Sequence, residues 1–183
     1  MGSSSDRSGT PVSPDLASRI REAALLEGDF VLSSGKRSSF YVDKYLFSTE
    51  PDLLRDVAAA LSEKLPASVE RLAGVELGAV PLVVATALHT GLPYVIVRKS
   101  TKVYGTGRGI EGNLERGERV TVIEDIVTTG TQVAQAARSL VEAGAKVVRI
   151  VAVLDRREVP KERLEEFSFG ALLRMDDLRV SKK

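Results

Sequence analysis

Apolar and polar positions divide the chain into two regimes: periodic spacing up to about residue 61, then short unbroken apolar runs between residues 72 and 154. Ser13-Pro14-Asp15 reads as a helix start, with Ser13 as N-cap and Pro14 at the first helical position. Leu16, Ile20, Ala23 and Ala24 repeat at helical spacing, and Gly28 predicts the end of that helix. Residues 30–32 and 40–42 flank the turn-rich stretch 33–39, which predicts a hairpin. Thr49 reads as the cap of a second helix, with Asp52 three positions on and Leu53, Val57 and Leu61 along one face.

The unbroken runs are residues 72–75, 93–97, 120–123 and 147–154. Continuous rather than alternating apolarity marks strands buried on both faces of a parallel sheet. Helical segments at 81–89 and 131–143, the latter ending at Gly144, separate most of them. The order β-α-β-loop-β-α-β predicts a doubly wound, mainly parallel α/β sheet, whose ligands sit beyond the carboxyl ends of the strands. A short helix near 161–166 and a strand over 169–175 are expected to finish the chain.

Composition narrows the chemistry. The 183 residues suit one domain, expected over 13–183, and the polar Gly/Ser-rich stretch 1–12 reads as a flexible tail. With 26 basic and 25 acidic residues, the net charge of +1 offers no field for nucleic acid or an anionic membrane. The absence of cysteine excludes disulfides, thiolate metal sites and cysteine nucleophiles. His89 is the only histidine, which excludes a multi-histidine metal site, and it reads as structural. No apolar run approaches the ~20 residues of a membrane span, and the expected compartment is the cytoplasm.

The sharpest candidate site is VTVIEDIVTTGT, residues 120–131. A buried strand runs into Glu124 and Asp125, then a Thr/Gly turn, then a helix. The turn and helix start present backbone N–H groups and hydroxyls suited to a phosphate. The two acids, upstream of it, are placed to accept hydrogen bonds from sugar hydroxyls. Taken singly, each feature also occurs in an ordinary strand end followed by a Thr-capped helix. Residues 99–117 form a second candidate, a long glycine-rich segment with Lys99, Lys102 and Arg108, next to Arg98. Segments of this length in a compact domain are usually lids or binding loops, although a solvated loop with incidental charge reads equally well. The string GRGIEG at 107–112 matches GxGxxG but neither leaves a strand nor opens a helix, so it is no dinucleotide fingerprint.

The segment VTVIEDIVTTGT resembles the phosphoribosyl-diphosphate (PRPP) motif of type I phosphoribosyltransferases. FVLSSGKRSSFYVD (30–43), GVELGAVPL (74–82), VRKSTKVYGTGRGIEG (97–112) and LDRRE (154–158) extend the resemblance to orotate phosphoribosyltransferases, in that family's order. It implies transfer of a 5-phosphoribosyl group from PRPP to orotate, giving orotidine 5'-monophosphate and diphosphate, in pyrimidine (UMP) biosynthesis. The alternatives are the same fold acting on another base and a non-catalytic PRPP-sensing regulator.

By the same resemblance PRPP is held by Glu124, Asp125, Ile126, Val127, Thr128, Thr129, Gly130, Thr131 and Gln132, with Arg98, Lys99, Lys102 and Tyr104 from the lid. Glu76, Leu77, Gly78 and Ala79 form the diphosphate loop, with a non-proline cis peptide near Glu76-Leu77; spacing alone reads there equally as a tight strand-to-helix turn or as a small-residue loop that lets backbone approach an anion. Orotate falls to Tyr41, Thr128 and Arg156, and catalysis to Lys102, Glu124 and Asp125. Mg²⁺ is implied as a bridge through PRPP near Asp125, with no ligand supplied directly by the protein. A homodimer sharing the lid 99–117 is implied, with a small hood from about 13–48 and the C-terminal segment over a core of about 49–158.

The chain departs from many bacterial members at four positions. Ser33 and Gly78 stand where lysines are common, Tyr104 where a histidine follows the lid lysine, and Val159 where a glycine is frequent. Lys36, Arg37 and Lys44 are candidates for the missing charge, and spacing does not choose among them.

Overall fold

The continuous apolar runs become neighbouring strands because each must bury side chains on both faces. A computed structural model gives the fold for residues 14–31, 35, 37–99, 109–157 and 164–179. In chain order the elements are α1 (Pro14–Ala24), β1 (Leu25–Val31), β2 (Arg37–Val42), α2 (Lys44–Ser48), α3 (Pro51–Ser62), β3 (Arg71–Val75) and α4 (Ala79–Thr90). Then follow β4 (Tyr94–Val97), β5 (Ile110–Glu111), β6 (Arg119–Val127), α5 (Thr131–Glu142), β7 (Lys146–Asp155), β8 (Phe169–Arg174) and α6 (Met175–Arg179).

The six-stranded sheet has the order β5-β4-β3-β6-β7-β8. All its pairs are parallel except β4 with the two-residue β5. One core packs Leu72, Ile123, Val151 and Val153 of the sheet against Ile20, Phe47, Val57, Leu61, Leu82 and Leu178 of the helices. On the other face Ala73, Val95, Val122 and Ile150 meet Val133, Ala137 and Leu140 of α5. This two-sided burial is why the strand residues show no polar alternation. Among the described residues, no helix is long and apolar enough to cross a membrane.

Several local expectations are corrected. The first helix ends at Ala24, and Gly28 lies inside β1, where the pairing with β2 shifts register between Glu27 and Phe30. A glycine in a strand marks such an irregularity as readily as a helix end. Thr49 follows α2, its hydroxyl donating to the Tyr45 carbonyl, whereas Glu50 caps α3 by accepting from Leu53 N at 2.8 Å. The short helix α2 is capped by Asp43, which accepts from Tyr45 N at 3.0 Å. Residues 165–167 form a turn rather than a helix, and Met175 opens α6 instead of closing a strand. Within 99–117, residues 110–111 pair with β4. β8 is the edge strand of the core sheet, whereas α6 packs beside α1. Ser13 and the segment 158–163 lie outside the described residues.

Phe47 is fully buried and ties α2 to the helical side of the core. Phe47→Ala should lower unfolding stability by about 3–5 kcal/mol in denaturant titrations. A loss below about 1 kcal/mol would mean that α2 is not anchored through this ring.

Candidate active site

The carboxyl ends of β3, β6 and β7 lie side by side, and the residues that follow them converge. β6 carries Glu124 and Asp125 in buried positions, at 7% and 3% exposure. Glu124 Oε1 accepts from Asp125 N at 3.0 Å, and Asp125 Oδ1 accepts from Ile126 N. One cation serves the pair: Lys44 Nζ lies 2.8 Å from Asp125 Oδ2. Burial works against the Lys44 ammonium, but the hydrogen bond and charge of Asp125 outweigh it and hold its pKa above the ordinary value. Burial, followed by the adjacent Asp125 charge, pushes the Glu124 carboxyl up to about 8. The free protein thus stores one protonated acid beside one paired acid.

Beyond the acids, Thr128 and Thr129 are exposed and Gly130 is buried. Gly130 adopts φ +78°, the left-handed conformation that favours glycine, and so turns the strand into α5. No side chain caps this helix start; Thr129 Oγ1 lies 3.0 Å from Thr131 Oγ1 and accepts from Thr131 N at 3.4 Å. Gln132 is exposed on the first turn. Hydroxyls and helix-start amides therefore face outward immediately after the acid pair, an arrangement suited to an anion joined to a polyhydroxyl group.

The loop between β3 and α4 approaches the same acids. The Glu76-Leu77 peptide is cis, as the resemblance implied. Leu77 is exposed, while Gly78 and Ala79 are buried at the start of α4. A Cβ on Gly78 would fall 1.7 Å from Asp125 Oδ2 and 2.9 Å from Lys44 Nζ, so only glycine leaves room for that ion pair. The Glu76 carboxylate turns toward the lid stem, accepting from Lys99 N at 2.6 Å with Arg98 at 3.9 Å. Arg98 also contacts Glu111 at 3.3 Å, and the Lys99 side chain is exposed. Lys102, Tyr104 and Arg108 lie outside the described residues.

At the end of β7 the two arginines divide their tasks. Arg157 grips Asp155 through two contacts of 2.9 Å and stacks 4.2 Å from the Phe169 ring centre. Arg156 has no carboxylate partner among the described residues, and burial lowers its pKa from the ordinary value. Tyr41 and Arg179 both lie within its electrostatic reach. Tyr41 is 41% exposed, with its ring 5.6 Å from Phe30, while Phe40 stacks 4.5 Å from Arg179. A half-buried guanidinium without an acid, near a tyrosine and a second arginine, suits a small planar anion.

Of the three candidates for replacement charge, Arg37 pairs with Asp29 at 2.9 Å on the hairpin and Lys36 lies outside the described residues. Lys44 is the one brought to the acids. Arg179 has no motif of its own and was missed by sequence reasoning.

The family model described as Phosphoribosyl transferase domain matches residues 49–177. The orotate phosphoribosyltransferase of Natronomonas pharaonis is 50% identical over 83% of this chain and 87% of its own length. The crystal structure of orotate phosphoribosyltransferase from Aeropyrum pernix is similar at TM-score 0.78, with 30% identity over 89% of this chain and 95% of that one. The Mycobacterium tuberculosis H37Rv enzyme, solved in complex with PRPP, is similar at TM-score 0.75, with 26% identity over 93% of this chain and 100% of that one.

The raised Glu124 carboxyl has a consequence for stability. Its proton is held more tightly folded than unfolded, so this stabilisation is complete below the ordinary glutamate value and is lost as pH rises through about 8. Unfolding titrations of the ligand-free protein from about pH 5 to about pH 9 should show wild-type stability falling relative to Glu124→Gln. Parallel curves would show that Glu124 is already ionised in the fold.

Proposed function

The chain belongs to the phosphoribosyl transferase domain family and, within it, to the orotate phosphoribosyltransferases, and on that premise we propose how its residues transfer a 5-phosphoribosyl group from PRPP to orotate. The products are orotidine 5'-monophosphate and diphosphate, in pyrimidine biosynthesis. The observation that carries the reading is the buried acid pair of β6 running directly into the outward-facing turn 128–131.

Thr128, Thr129, Gly130 and Thr131, with Gln132, hold the 5-phosphate through hydroxyls and amides. Gripping this remote group places the anomeric carbon, so binding energy is spent on position. As the bond from C1 to the diphosphate oxygen breaks, the ribose gains positive charge. Glu124 and Asp125 accept from its hydroxyls, and Asp125, the member paired with Lys44, opposes that charge. Ile126 and Val127 supply the strand end between acids and turn, and Glu76, Leu77, Gly78 and Ala79 offer loop backbone to the diphosphate. Arg156 takes the orotate carboxylate, Tyr41 covers the ring, and Thr128 lies between base and phosphate. Orotate attacks as an anion, so no general base is needed.

Among the described residues, no group of three or more His, Asp or Glu could cage a metal. An Mg²⁺ bridged through PRPP would lie near Asp125, whose carboxylate is at the end of β6. When bound, that ion supplies charge neutralisation on the departing diphosphate. Lys102, with Arg98, Lys99 and Tyr104, closes over the diphosphate and excludes water. The lid 99–117 comes from the second subunit of a homodimer, and the hairpin with α6 forms the hood. On this reading the enzyme's partners are PRPP, orotate and a second copy of the chain.

The direct test is diphosphate release from PRPP that depends on both orotate and Mg²⁺; release with neither dependence would refute the assignment. Lys102→Ala should reduce kcat by roughly 100-fold while changing PRPP affinity little, and unchanged turnover would remove the lid from catalysis. If subunits share lids, mixing the inactive Lys102→Ala and Asp125→Asn proteins should restore roughly a quarter of wild-type activity by random re-pairing. No recovery after subunit exchange would make each site self-contained.

A further inference from the structure

Three parts of the chain remote in sequence meet at one ammonium group. Lys44 opens α2, which Asp43 caps and Phe47 anchors in the core. Its Nζ crosses to Asp125 Oδ2 at 2.8 Å, and it lies directly over the loop position occupied by Gly78. A side chain at 78 would collide with the ion pair, so the bare loop backbone and the incoming lysine are complementary.

A purely structural ion pair would explain part of this geometry, but three observations favour a ligand. The Lys44 side chain retains 29% exposure, whereas Asp125 retains 4%, so the acid is enclosed and the cation faces outward. An ammonium has three donors, and among the described residues Asp125 is its sole hydrogen-bond partner. The loop 76–79 beneath it contains no basic residue, and its one charged side chain, Glu76, is directed to the lid stem.

We propose that Lys44 is a PRPP-binding residue, bringing from α2 to the 76–79 loop a cation that contacts the diphosphate. The inference rests on the reading of that loop as the diphosphate loop. Lys44 keeps its contact with Asp125 and turns its remaining donors to the diphosphate oxygens, so it joins the ribose side of the site to the leaving-group side.

The test compares ligands with and without a diphosphate. In calorimetric titrations, Lys44→Met should weaken PRPP and free diphosphate by roughly 10- to 100-fold, the scale of one charge-assisted hydrogen bond. Orotidine 5'-monophosphate, which shares the ribose and 5-phosphate but lacks the diphosphate, should be weakened much less than PRPP, only as far as Asp125 loses its partner. Lys44→Arg, which keeps the charge, should retain most of the PRPP affinity and serves as the reference if Lys44→Met folds poorly. Equal weakening of PRPP and orotidine 5'-monophosphate would assign Lys44 to Asp125 alone and overturn the proposal. Wild-type protein that binds orotidine 5'-monophosphate but not PRPP would instead refute the reading of the loop.

Discussion

Two adjacent carboxylates buried at the end of one strand, with a single ammonium against them, form the constraint on which the site depends. Taking an acid out of water disfavours its charged form, and a second acid beside it compounds the penalty. The fold answers by pairing Asp125 with Lys44 and leaving the Glu124 proton in place up to about pH 8. Apolar residues of similar volume would often stabilise a fold more than a buried ion pair does. On the proposed reading the arrangement prepares for a sugar ring that becomes cationic, because the Asp125 carboxylate is already fixed in place when that charge appears. The same requirement fixes distant structure. α2 must dock where Lys44 can reach the strand, and position 78 must stay bare.

Much of the core was legible because the physics there is local. Residues buried on both faces of a parallel sheet must be apolar in succession, so β3, β4, β6 and β7 stand out in the sequence, and the turn at 128–131 marks the start of α5. Errors gathered where one residue type serves two purposes. Gly28 looks like a helix stop because glycine ends helices, yet the same freedom lets it sit in an irregular strand. Thr49 looks like an N-cap, but its hydroxyl is taken by the preceding turn, and Glu50 caps instead. α2 and α6 are five-residue helices, too short for periodicity to show.

In the site, strand-to-turn motifs could be read, whereas pairings across the fold could not. The spacing of Arg156 and Arg157 gives no hint which of them is free. The structure decides by giving Asp155 to Arg157 and seating that side chain on Phe169. Lys44 and Asp125 are 81 positions apart, so their contact depends on where α1 and α3 seat α2. Arg179 reaches the neighbourhood of Arg156 only because β8 joins the sheet in parallel and returns α6 toward the hairpin. Each of these is a tertiary decision between chemically equivalent residues, and the sequence presents the choices without ranking them.

The lid shows how such decisions tie parts of a site together. Within the segment 99–117, residues 110–111 return to pair with β4, and beside that pair Arg98 N donates to Gly109 O at 2.8 Å. Glu76 N donates to Val97 O at 2.9 Å, while the Glu76 carboxylate accepts from Lys99 N. The first residue of the 76–79 loop is therefore bonded to the last residue of β4 and to the second residue beyond it. A ligand that orders the loop bears on the lid stem through those bonds, with no intervening side-chain packing. Glu76 is a poor direct partner for a diphosphate because both are anionic. Its carboxylate is better suited to the stem, where Lys99 N and Arg98 meet it.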